Sequence, residues 1–240
     1  MSMLSEILLD LRRLVAAPVC PICGKELPDD NVGVCTMCEI SAPLTNSCFE
    51  RDNAMMERFW GLMPVEHASA FLWYVEGSDW RRAIHNFKYK GAWHTAYNLG
   101  CWYGSQLKQS GNYSDVDLVV PVPLHWLRRL TRGYNQSEYL ADGIARQLGV
   151  KVERRAIYRR QYNRTQTSKS HSERWGNVEG VFAVRDAERL RGRHILLVDD
   201  VFTTGATIMS LGDTILKAAP DARLSVATLA TTHKSLNRKP

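Results

Sequence analysis

The sequence predicts an α/β fold, a mostly parallel sheet covered by helices, with a small cysteine-rich module ahead of it. Three observations predict this. From residue 68 onward, short and nearly continuous apolar runs alternate with stretches of helical periodicity, the pattern of βα units around a sheet buried on both faces. Four cysteines crowd into residues 20–38, before that pattern begins. The 240 residues are 45% hydrophobic and 23% charged, which suits a globular chain with a real core and excludes a disordered, collagen-like or polytopic membrane protein.

Taken in order, residues 1–15 place Leu4, Ile7, Leu8, Leu11, Leu14 and Val15 at helical spacing, as an amphipathic helix does. Glu6, Asp10, Arg12 and Arg13 interrupt the apolar stretch, which does not suit a secretory signal. The mixed charge of the polar face favours docking on the domain over contact with a membrane surface. No run of 18 apolar residues occurs, so no transmembrane helix is predicted.

Residues 16–50 form the second unit. Cys20-Pro-Ile-Cys23, eleven intervening residues and Cys35-Thr-Met-Cys38 make two C-x2-C knuckles. Knuckles this close can bring four thiolates to the corners of a tetrahedron around Zn2+. Two disulfides are the alternative, but they require an oxidising compartment, and nothing here signals export. Four cysteine ligands close the coordination shell, so the metal is structural, standing in for a core this short segment lacks. Cys48 and Cys101 have no partners at ligand spacing.

Residues 51–240 form the third unit. Arg51–Pro64 reads as a helical connection. Strands are expected at Ala68–Val75, Asp117–Val122, Val181–Val184, His194–Val198 and Leu224–Leu229, and helices at Ser78–Tyr89, Trp93–Gln109, Asn135–Leu148 and Ala206–Ala218, several bounded by Gly or Pro. There is no internal repeat. In such sheets ligands sit at the carboxyl ends of strands.

The chain carries 31 Lys and Arg against 25 Asp and Glu, a net charge of +6. Residues 151–175 alone hold eight basic and two acidic side chains, so the whole excess lies in this one tract. Tyr158, Tyr162, His171 and Trp175 are interleaved with its arginines. Positive charge with stacking surfaces suits a single strand of nucleic acid; a plain charged surface segment whose aromatics pack inward is equally compatible.

One strand end carries the strongest chemistry. The apolar run His194–Val198 leads into Asp199 and Asp200, then Thr203, Thr204, Gly205, Ala206 and Thr207, where a helix begins. Hydroxyl donors, a glycine that lets backbone approach an anion, and a helix amino terminus together make a phosphate cradle. The carboxylates at its rim could accept from sugar hydroxyls or hold Mg2+ indirectly. A structural strand–turn–helix with capping threonines and an acidic metal pocket with no sugar phosphate are the competing readings.

D-D-V-x-T-T-G-x-T resembles the phosphoribosyl pyrophosphate (PRPP) loop of type I phosphoribosyltransferases. Val120-Pro121-Val122-Pro123-Leu124, Arg128, Arg129, Arg132-Gly133-Tyr134-Asn135-Gln136, Lys88-Tyr89-Lys90-Gly91, Arg164-Thr165-Gln166-Thr167 and Arg174-Trp175-Gly176-Asn177-Val178, with the double C-x2-C module ahead of them, resemble the ComF/GntX branch of that superfamily. The resemblance runs from about Cys20 to Thr231. It implies a type I phosphoribosyltransferase-like domain including a hood over 51–240. Asp199 and Asp200 would face the ribose hydroxyls, and Thr203 through Thr207 would wrap the 5′-phosphate. Arg128, Arg129 and Arg132 would be pyrophosphate contacts, as suits the planar two-pronged guanidinium. Lys88 and Lys90 would reach the cleft from the hood, and Arg159, Arg160 and Arg164 would meet pyrophosphate or nucleic acid. PRPP with Mg2+, single-stranded DNA and DNA-uptake machinery are the implied ligands and partners. The implied location is cytoplasmic, which is compatible with peripheral placement at the inner face of the membrane. Whether the chain binds PRPP in a role in DNA use, or transfers its phosphoribosyl group to an acceptor, stays open: no base-recognition motif follows Leu229.

Overall fold

A computed structural model describes residues 19–27, 33–86, 93–160 and 180–237. Its centre is a five-stranded, wholly parallel sheet built from β1 (Ala68–Trp73), β2 (Leu118–Pro121), β3 (Lys151–Val152), β6 (His194–Phe202) and β7 (Arg223–Thr231), in the order β1-β7-β6-β2-β3. The chain first moves outward from β2 to β3, then returns to β6 and proceeds the other way to β7. The reversal falls between β2 and β6, and a crevice opens at the carboxyl ends of strands at such a switch point.

Both faces of the sheet are covered because successive residues alternate between them. Leu196 and Val198 of β6 join one buried cluster, and Ile195 and Leu197 join the other. Helices α2 (Asp79–Asn86), α3 (Trp93–Ser110) and α5 (Gln136–Leu148) cover the first face, and α6 (Ala206–Ala218) covers the second. Helices α3 and α5 touch backbone to backbone at Gly100 and Gly143, where an added Cβ would lie 2.3 Å from the Leu140 carbonyl and 2.2 Å from that of Tyr97. Cys20, Ile22, Leu27, Cys38 and Cys48 share the first cluster with Phe71, Leu72 and Trp80, so the cysteine-rich segment, with its short helix α1 (Thr36–Ile40), leans on the sheet's own core.

Several expectations are corrected. Strand β6 does not stop at Val198. Its pairing with β2 ends there, but pairing with β7 continues through Asp199–Thr228 to Phe202–Thr231, so both carboxylates sit within the strand, near its end. The segment expected as a strand at 181–184 is β5 (Phe182–Val184), outside the main sheet, paired antiparallel with β4 (Ile157–Arg159). Arg51–Pro64 is mostly turns, with one 3-10 turn at Met56–Arg58. The buried Asn53 side chain accepts from the N–H groups of Met55 and Met56 at 2.9 and 3.1 Å and donates to the carbonyls of Ser47, Glu50 and Ala68, a local competition that breaks a regular helix. A helix not expected, α4 (Trp126–Arg132), is capped by the His125 ring and closed by Gly133. The last helix, α7, spans His233–Leu236. The amphipathic segment 1–15 lies outside the described residues, as do 87–89 of the expected second helix.

At the opposite, amino-terminal end of the sheet, Ser225 Oγ lies 2.8 Å from His194 Nε2, and His194 Nδ1 lies 3.0 Å from Asp115. The series has the connectivity of a hydrolytic triad, but Ser225 and His194 are 0% and 1% exposed. A nucleophile needs access to substrate; this one ties strand ends together. No helix among the described residues is long and apolar enough to cross a membrane.

Candidate functional site

The carboxyl end of β6 is assembled by three elements. The Asn135 side chain caps α5 by accepting from the Ser137 N–H at 3.2 Å and anchors that cap to the end of β2 by donating to the Val122 carbonyl at 3.1 Å. Ser137 Oγ then donates to Asp199 Oδ1 at 3.1 Å, and the same carboxylate accepts from the Asp200 N–H at 2.9 Å. Asp200 accepts from the Val201 N–H at 2.7 Å. Hydrogen bonds of this kind hold the direction of each carboxylate. Both aspartates remain half-exposed at the end of the strand.

Beyond them Thr203, Thr204, Gly205, Ala206 and Thr207 wrap a hollow of about 20 Å3 that Asp199 also lines. Gly205 caps α6 at φ 79°, and a Cβ there would lie 3.0 Å from the Phe202 ring and 3.2 Å from Met209. Only glycine satisfies both demands. Gly205 offers α6 no side-chain cap, and the Ala206 N–H donates instead to the Thr204 hydroxyl at 3.4 Å; the helix's 13 residues give an amino-terminal dipole facing the hollow.

The predicted basic residues divide. Arg129 and Arg159 line one cleft beside the end of β2. Arg159 is half-buried, with its pKa pushed down by burial and then by the neighbouring Arg128, against the pull of Asp199, so Arg128, Arg159 and Asp199 share one electrostatic neighbourhood. Arg160 is exposed and lies outside that cleft. Arg132 ends α4, and its side chain is outside the described residues; Lys88, Lys90 and Arg164 are outside them altogether. Sequence analysis does not single out Ser137, nor Trp126 and Arg185, which line the separate cleft with Arg129, Arg159 and the expected stacking residue Tyr158. Ser137 stands only two residues after Asn135, but its partner lies 62 positions away.

In the cysteine-rich segment, the Sγ atoms of Cys20, Cys23, Cys35 and Cys38 all lie within 4.8 Å of one another. Cys23 and Cys35 are 3.7 Å apart, close to the edge of about 3.8 Å of a tetrahedron with Zn–S bonds of about 2.3 Å. The first knuckle turns through a Gly24 N–H to Cys20 carbonyl bond of 2.8 Å. Burial raises the Cys20 pKa, but backbone N–H groups led by that of Cys35 outweigh it and bring it down to about 7. Burial and then the three neighbouring cysteines push Cys38 up. Four sulfurs this close cannot all ionise without a cation among them. The soft donor set fits zinc.

Parts of this chain are similar to known proteins. Residues 135–239 match the phosphoribosyl transferase domain family. The chain is similar to the DNA utilization protein YhgH of Escherichia coli K12, at 34% identity over 101 residues, which is 42% of this chain and 44% of that protein. It is similar to competence protein F of Haemophilus influenzae, at 30% over 102 residues, again 42% and 44%. To competence protein ComFC of Bacillus subtilis it is 25% identical over 217 residues, 90% of this chain and 78% of that protein. Against the first two, the similarity thus spans under half of the relative's length. The parallel sheet and the domain match give this chain a phosphoribosyltransferase-like fold. Relatives named for competence and DNA utilization, together with that domain, support a ComF-family protein within this class.

Proposed function

We propose that this chain binds a ribose 5-phosphate ligand, PRPP accompanied by Mg2+, at the end of β6, in a role in the handling of imported or single-stranded DNA. The observation that carries the first part is the continuous run from Asp199 and Asp200 to the glycine-capped start of α6, placed at the sheet's switch point. The cradle suits the 5′-phosphate, and the two carboxylates suit ribose hydroxyls. They are also hard oxygen donors of the kind Mg2+ accepts when it arrives with a polyphosphate. The names of the relatives support the second part: DNA utilization and competence. The cysteine cluster holds a structural zinc, and residues 16–50 are a module built around it.

Phosphoribosyl transfer to an acceptor is the second reading. The arginines beside the end of β2, with Arg128 and Arg159 in one electrostatic neighbourhood, favour it, because a leaving pyrophosphate needs fixed positive charge.

Calorimetric titration of the full chain with PRPP and Mg2+ tests the proposal. Saturable binding is expected, and replacing Asp199→Asn with Asp200→Asn should weaken it by about tenfold or more, the size of lost hydrogen bonds to charged groups. A wild-type chain that does not bind, or a double variant that binds equally well, ends this reading.

A further inference from the structure

A second cleft, of about 280 Å3, opens between α4 and the β4–β5 ribbon. Val120, Pro121, Pro123 and Leu124 floor it, and none of residues 199–207 lines it. Its walls carry two aromatic side chains, Trp126 and Tyr158, and four arginines, Arg129, Arg154, Arg159 and Arg185.

Two of the arginines are already neutralised. Arg129 reaches Glu138 at 3.5 Å, and Arg154 pairs with Asp142. The other acid of the cleft, Glu153, is taken by Arg189 at 3.0 Å and by the Ala156 N–H at 2.9 Å. Arg159 and Arg185 have no carboxylate within ion-pair distance among the described residues; they lie instead over the rings of Phe182 and Tyr158, at 5.4 and 5.1 Å. Arg159 is half-buried beside Arg128, and burial together with that like charge already disfavours its own. An anion would relieve both costs.

The aromatic half of the cleft is open to solvent. Trp126 is 61% exposed and Tyr158 40%, so two rings with a flat apolar face and a polar edge stand on the same walls as the arginines. Arg185 covers one face of Tyr158, so Trp126 offers the open stacking surface. Guanidinium groups for a phosphate and an indole for a base are the two halves of nucleotide recognition. A volume near the lower end of small-molecule sites, about 300–1,000 Å3, admits one nucleotide and no duplex.

We infer that this cleft seats a single nucleotide unit, its phosphate on Arg159 and Arg185 and its base on Trp126. The inference deepens the proposed role in DNA handling, on which it rests, and assigns that role to residues apart from the sugar-phosphate loop. The unit can be a free mononucleotide or one residue of a single strand, since both present the same base and phosphate.

Competition binding on the full chain decides it, with oligothymidylate and thymidine monophosphate as probes and PRPP with Mg2+ measured in parallel. Trp126→Leu and Arg185→Gln should each weaken nucleotide binding by about tenfold, within the range for one stacked base, and Trp126→Phe should restore most of the loss. PRPP affinity should not change in any of the three. Equal affinity per site for both probes would identify a free nucleotide as ligand, and binding of oligothymidylate alone would identify a strand; either supports the cleft. Binding of neither probe by the wild type overturns the inference, as does wild-type affinity in both Trp126→Leu and Arg185→Gln. Parallel loss of PRPP would also overturn it, by making the cleft part of the sugar-phosphate site. Nucleotide binding without PRPP binding would sink the sugar-phosphate reading and leave the cleft standing.

Discussion

Gly205 concentrates what the candidate site asks of a single residue. Its φ of 79° and the 3.0 Å that would separate an added Cβ from the Phe202 ring act together. Gly205→Ala should cost roughly 1–2 kcal/mol from the left-handed conformation alone, read as a lowered urea midpoint, and should weaken PRPP binding as the loop shifts. Unchanged stability would contradict the close approach. At this scale the sequence is informative where the chemistry is contiguous: Asp199, Asp200 and Thr203 through Thr207 stand in one stretch and line one strand end and hollow. It is silent where chemistry comes from folding. The Ser137 bond to Asp199 and the approach of Trp126, Tyr158 and Arg185 join segments with no common motif.

Among elements, α6 is legible to the residue because Gly205 and the apolar face of Ala206–Ala218 mark it. Helix α4 is not. Its residues WLRRLTR leave Trp126 61% and Leu130 73% exposed, so no buried stripe shows its period. Strands β3 and β4 are two and three residues long, too short for alternation to register. The cysteine knuckles are legible from spacing alone, and the sulfur positions make a direct prediction. Elemental analysis should find about one zinc per chain; Cys35→Ser should lose it and lower the unfolding temperature, because metal binding and folding of such segments are one equilibrium. A stably folded, zinc-free wild-type protein would contradict the assignment.

For the molecule as a whole, the sheet order β1-β7-β6-β2-β3 places the ends of β2 and β6 side by side, and with them the two candidate sites. The chain's charge follows the same plan. The net +6 resides in residues 151–175, and of the described part, Arg154, Tyr158 and Arg159 line the cleft beside the end of β2, while Arg160 is exposed outside it. Net charge alone announces an anionic partner; the topology gives that charge an address next to the sugar-phosphate loop. The central claim is that this loop binds a ribose 5-phosphate. A crystal structure with PRPP and Mg2+ tests it most directly. The account predicts the 5′-phosphate within hydrogen-bond distance of Thr203 through Thr207 and the ribose hydroxyls at Asp199 and Asp200. A phosphate bound elsewhere at saturating ligand, with the loop empty, would contradict it.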